Sequence, residues 1–90
     1  MKATYRMVHI SHLDLSVPPL ETGKYQHYKG DFYDVIGVAL HSETREPMVI
    51  YKPLYESPVL YWSRPYAIFI DYAVVDGEQV PRFKKVNNND

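Results

Sequence analysis

Phe32-Tyr33-Asp34-Val35-Ile36-Gly37-Val38-Ala39-Leu40-His41-Ser42, then Glu43-Thr44-Arg45-Glu46-Pro47, then Met48-Val49-Ile50-Tyr51-Lys52-Pro53-Leu54, is the stretch that decides the fold. Two runs rich in β-branched and aromatic residues flank a short polar segment ending in proline, which is the pattern of a β-hairpin. With Ser42 opposite Met48 across the loop, Leu40 faces Ile50, Val38 faces Lys52 and Ile36 faces Leu54, and that side is the expected core. The other side then carries His41 beside Val49, Ala39 beside Tyr51 and Gly37 near Pro53, with Tyr55 beyond. Small residues there leave the tyrosine rings uncovered. A slip of one residue in this register exchanges the two faces.

Working outward, Lys29-Gly30-Asp31 is a turn, and Lys24 to Tyr28 before it is a short strand opened by Gly23. Residues 1–23 form a lead-in in which Val8 and Ile10 alternate with His9 and Ser11, a pattern that fits one added strand, and Pro18-Pro19 stops any helix. Downstream, Pro53 and Pro58 limit pairing and place a loop near 55–59. Leu60 to Ser63 reads as a strand ended at Arg64-Pro65, and Tyr66 to Phe69 as one helical turn with Pro65 at its start. Ile70 to Val75, the Asp76-Gly77 turn and Gln79 to Phe83 form a second hairpin. Residues 85–90 are a polar tail. The expectation is an all-β chain, a small barrel of five or six short strands over residues 24–84.

Composition bounds what such a barrel can do. A chain of 90 residues holds one core and little interior space, so a site belongs on the surface. With 10 Lys plus Arg against 11 Asp plus Glu there is no broad basic field for nucleic acid. The lack of cysteine removes disulfides, thiolate catalysis and sulfur-ligated zinc. The N-terminal residues have no apolar signal-peptide core, and no apolar run approaches the ~20 residues that span a bilayer, so a cytoplasmic protein without a membrane role is expected. No cofactor motif is visible.

His27-Tyr28-Lys29-Gly30, His41-Ser42-Glu43-Thr44 with Pro47, Tyr51, Leu54-Tyr55 and Trp62-x-Arg64-Pro65 occur together and in order. In these motifs the chain resembles the bacterial domain-of-unknown-function family 1653, over roughly residues 24–84. The resemblance implies an SH3-like barrel and no established activity. Ser63 stands where an apolar residue is more usual between Trp62 and Arg64, and residues 1–23 have no clear counterpart.

The chemistry is sparse. His41-Ser42-Glu43 cannot be a nucleophilic triad, because consecutive strand residues point to opposite faces. His41 and Glu43 share a face and are the minimum for a small enzyme or part of a metal site; the plainer role is a histidine that hydrogen-bonds the loop it precedes. His9-x-x-His12 would share a face only on a helix. The four glycines match no phosphate-binding fingerprint. An aromatic set stands out: Tyr28, Tyr51, Tyr55 and Trp62, with Arg64 on the strand face of Trp62, form a candidate ligand-binding ledge together with the His41 and Glu43 loop. The plainer alternative has Trp62 capping the barrel while Arg64 pairs with Asp31, Glu43 or Glu46. A non-enzymatic module binding a peptide or protein partner ranks first. A nucleic-acid or nucleotide-binding domain, using Arg64, Lys29 and Lys52 near phosphate, is the alternative, and an enzyme built on His41 and Glu43 ranks third. An uncovered edge strand would also permit pairing between two copies.

Overall fold

Between Val35 and Gly37 the pairing of the central hairpin slips by one residue, and this bulge decides which side of the sheet is core. The computed structural model describes residues 16–87. Its elements are β1 (Gly23–His27), β2 (Phe32–Leu40), β3 (Pro47–Pro53), β4 (Trp62–Pro65), the single-turn helix α1 (Tyr66–Phe69), β5 (Tyr72–Val75), β6 (Glu78–Pro81) and β7 (Phe83–Lys85). The chain is all-β apart from α1. Strands β4-β3-β2-β1-β7 make an antiparallel sheet in that order and β5-β6 a separate hairpin, so β4 and β7 are the sheet's edges and the barrel is not closed.

The hairpin register corrects the expected one. Leu40 pairs with Pro47, Val38 with Val49 and Gly37 with Ile50; past the bulge, Val35 pairs with Tyr51 and Tyr33 with Pro53. Ile36 is the extra residue. It lets Tyr33, Val35 and Val38 share one face, which strict alternation would forbid for Val35 and Val38. That face meets Val49 and Tyr51, 0% and 4% exposed, whereas Ile36 and Leu54, expected inside, are each 48% exposed. Two local causes displace the register. The loop closes on His41 and Glu46, with His41 N donating to Glu46 O (2.8 Å) and Arg45 N to His41 O (2.8 Å), and Arg45 adopts a left-handed φ of 66°.

Strand β4 begins at Trp62, two residues later than expected, since Leu60 and Tyr61 remain in the loop after Pro53. Its register sets Trp62 opposite Tyr51 and Arg64 opposite Val49, on the core side of the sheet. Pro65 then fixes φ at −54° and starts α1, whose one turn buries Phe69. The second hairpin forms about the expected turn, with Asp76 and Gly77 both at positive φ (50° and 83°), the requirement of a type I′ turn. Its strands are shorter than expected: Ile70 ends α1, and Phe83 belongs to β7, which pairs with β1.

Tyr25, Val35, Val49, Tyr51, Phe69 and Phe83 form the buried cluster, with Leu20, Tyr33, Val38 and Tyr66 packed against it. The segment from 16 to 22 forms no strand; Pro19 O accepts from Tyr66 OH (3.1 Å) and Glu21 O from Tyr25 OH (2.7 Å). The strand expected around Val8 and Ile10, the pair His9 and His12, and the last three residues of the polar tail lie outside the described residues. Among the described residues no helix is long and apolar enough to cross a membrane.

Candidate ligand-binding site

Period-two alternation sends Tyr25 and His27 of β1, Tyr33 of β2, Tyr51 of β3, Arg64 of β4 and Phe83 of β7 toward the same side of the sheet. Phe83 is the hub. Phe69 stacks on it (4.0 Å between centroids, 9° between planes), while His27, Tyr51 and Tyr33 meet it edge-on at 4.8, 5.5 and 5.8 Å. Such edge-to-face contacts place positive ring edges on negative ring faces and fix the rings in orientation as well as position.

Onto this platform Arg64 brings a charge. Its guanidinium carbon lies 5.4 Å from the Phe83 centroid, and its Nε donates to Tyr51 Oη at 3.1 Å. The expected pairing with Asp31, Glu43 or Glu46 is therefore replaced by a ring face and a phenol. No carboxylate of a described residue forms an ion pair with this half-buried arginine. Its fixed charge is felt by His27, whose pKa is lowered from 6.5 by burial first, then by Arg64, Lys29 and Arg82, against the opposing pull of Asp31. Beside them the hydroxyls of Tyr33 and Tyr55 share a hydrogen bond of 3.2 Å, and burial with that bond raises the Tyr33 phenol well above its ordinary 10.0.

The two histidine motifs turn out to be turn devices. His27 Nδ1 accepts from Lys29 N (3.1 Å) while Gly30 N donates to His27 O (2.8 Å) and Gly30 takes φ 115°. His41 Nδ1 likewise accepts from Glu43 N (3.1 Å) and Thr44 N (3.3 Å), and Thr44 Oγ1 accepts from Glu46 N (3.2 Å). In both, the imidazole serves as an acceptor for backbone donors that the turn leaves unpaired.

Of the seven residues singled out from sequence, Tyr51, Tyr55, Trp62 and Arg64 belong to this end of the sheet. Tyr51 is buried and acts by holding Arg64, Tyr55 is 41% exposed, and Trp62 is 42% exposed on edge strand β4. Tyr28 lies in the β1–β2 turn beside His27, 4.6 Å between rings, with Lys29 Nζ 5.8 Å from its own. His41 and Glu43 are not part of the cluster: they occupy the β2–β3 loop, at the far end of β2 from Tyr33, and Glu43 meets His41 through its backbone N–H. Sequence reasoning passed over His27, Tyr33, Phe69 and Phe83. Tyr25 and His27 at strand spacing was the one signal available for His27. Among the described residues no three His, Asp or Glu side chains converge to hold a metal.

An open antiparallel sheet with one short helix, whose aromatic face seats Arg64, defines a small all-β domain. The chain belongs to the DUF1653 family, described as a protein of unknown function, whose model matches residues 23–85. A crystal structure of a DUF1653 protein from Bordetella bronchiseptica is similar to it, with 32% identity and a TM-score of 0.72 over 79% of this chain and 92% of that one. A search of curated proteins found no match.

Proposed function

We propose that this protein is a non-catalytic binding module that takes a segment of a partner protein against the aromatic face around Arg64. The observation that carries the reading is Arg64 itself: a half-buried guanidinium laid on Phe83, steered by Tyr51, and given no carboxylate by the described residues. Taking a charge partly out of water is costly unless something compensates it, and a ring face with one phenol compensates only in part. Strand β4 adds a way to hold a chain. It is an edge of the sheet, and Trp62 and Arg64 sit two residues apart on one face of it. An extended peptide added alongside would meet both side chains while its backbone bonds to the strand.

The alternatives draw on less. A nucleic-acid role built on Arg64, Lys29 and Lys52 is split: Lys52 stands opposite Asp34 on the side of the sheet away from Arg64, and Lys29 is in the β1–β2 turn. An enzyme built on His41 and Glu43 would need a proton-transfer imidazole whose Nδ1 is already engaged by two loop N–H groups. A cytoplasmic location fits the reading and rests on composition alone. The test is an aromatic-region NMR titration with mixed decapeptides and, separately, oligothymidylate. Shifts confined to Trp62, Tyr55, Tyr33 and Phe83 with peptide, weakening with added salt far less steeply than contacts to several phosphates would, are expected; an unchanged aromatic spectrum with peptide defeats the reading.

A further inference from the structure

The described residues around the inner cluster carry an excess of positive charge. Arg64, Lys29 and Arg82 all act on His27, and Asp31 alone opposes them. Arg82 is also uncomfortable in its place: its Nη2 reaches Tyr72 O at a long 3.4 Å, and its buried Nε finds no partner. A cationic ligand is thereby disfavoured at this face, although tyrosine-rich cages elsewhere suit such ligands, because Arg64 already lies against the Phe83 ring. The geometry instead suits an anion of planar shape. With Nε fixed by Tyr51, the two terminal amino groups of Arg64 donate to no described residue, and a guanidinium edge offers two parallel N–H donors to the two oxygens of a carboxylate.

Resting on the peptide-binding reading above, we infer that the anchor of the bound segment is a carboxylate, received by the Arg64 guanidinium, with Tyr51 and Phe83 as its positioning residues. The flanking groups agree with a peptide source for that carboxylate. Trp62, two residues from Arg64 on β4, and Tyr55, hydrogen-bonded to Tyr33 beyond the end of β3, are both exposed and offer apolar contact for residues next to the acidic one. Tyr51 has a defined task here: its hydroxyl takes Nε out of competition and turns the outer edge of the fork toward the ligand.

The test compares three probes by NMR titration of the intact chain: Ac-Tyr-Glu-Tyr-NH2, the isosteric Ac-Tyr-Gln-Tyr-NH2, and Ac-Tyr-Gln-Tyr-OH, which carries its carboxylate at the terminus. Loss of one charge-assisted hydrogen-bond pair predicts that the glutamine amide binds about tenfold or more weakly than the better of the two carboxylate peptides. Whichever carboxylate peptide wins identifies side chain or chain terminus as the source. Arg64→Met should equalise all three probes, Arg64→Lys should retain part of the preference, and Tyr51→Phe should reduce it several-fold with the fold kept, as read from the dispersion of methyl signals. Equal binding of the three by the parent, or a preference that survives Arg64→Met, overturns the carboxylate anchor while leaving peptide binding standing. Failure of all three and of the mixed decapeptides removes both.

Discussion

His27 and His41 open two different turns and do the same thing in each: Nδ1 accepts the backbone N–H two residues on. That role was legible for His41, where a histidine at a strand end ahead of a polar loop suggests it. It was hidden for His27, which the inner-face environment also makes electrostatically distinctive. His41→Ala should lower stability by about 1 kcal/mol through its lost loop bonds, and His41→Asn, which can accept from the same N–H groups, should recover most of it in urea unfolding. Peptide binding should not change in either. For His27 the sign follows from linkage. Its folded pKa lies below the ordinary 6.5, so the unfolded chain binds the proton more readily. The His27 contribution is complete above about pH 6.5, is lost as pH falls through 6.5 toward the folded value, and levels off below it. His27→Gln should therefore flatten the acid side of the stability profile in that window, whereas an unchanged profile would mean that other groups govern it.

At the scale of elements, the hairpin was legible and its inside was not. The apolar runs at 32–42 and 48–54 announce two paired strands, but the bulge at Ile36 and the left-handed Arg45 shift the pairing, and neither residue type advertises that. The consequence is concrete: Val49 and Tyr51 are core, and Ile36 and Leu54 are surface. Deleting Ile36 would leave Val35 and Val38 two positions apart and so on one face by ordinary alternation, with their β3 partners unchanged. The deletion should therefore keep the native methyl dispersion, and Ile36→Ser should be tolerated within about 0.5 kcal/mol; loss of the dispersion on deletion would mean that the bulge itself is required. The Asp76-Gly77 turn, in contrast, could be read directly because only a short list of residues satisfies two successive positive φ values. At Gly30 a Cβ would meet nothing within 4 Å, yet φ is 115°. Gly30→Ala should cost about 1–2 kcal/mol from backbone strain alone, measurable as a lower urea midpoint with the m-value unchanged.

Across the whole molecule, one face of the sheet is filled with rings and the other mixes Lys24, Gln26, Asp34 and Lys52 with Phe32 and Ile50, and the family motifs divide between turns and the inner face. Two of them build turns, and the third, Trp62-x-Arg64-Pro65, carries Arg64 to the inner face and starts α1. Which tyrosines are core and which are surface depended on register, so the aromatic surplus could be noticed in the sequence but not sorted. Phe83, near the chain end, gave no sign of being the hub on which Phe69, His27, Tyr51 and Arg64 converge. Phe83→Ala should cost about 3–5 kcal/mol and release Arg64 at once. Less severe changes are needed to examine the site itself.

The most direct of these is to follow the Arg64 side-chain Nε–Hε signal during titration with Ac-Tyr-Glu-Tyr-NH2 and Ac-Tyr-Gln-Tyr-OH in the folded parent chain. If Arg64 anchors a partner's carboxylate, that signal moves and saturates together with those of Trp62 and Tyr55 with at least one of the two peptides. A signal that stays fixed while peptide binds elsewhere, or while nothing binds, would contradict the account.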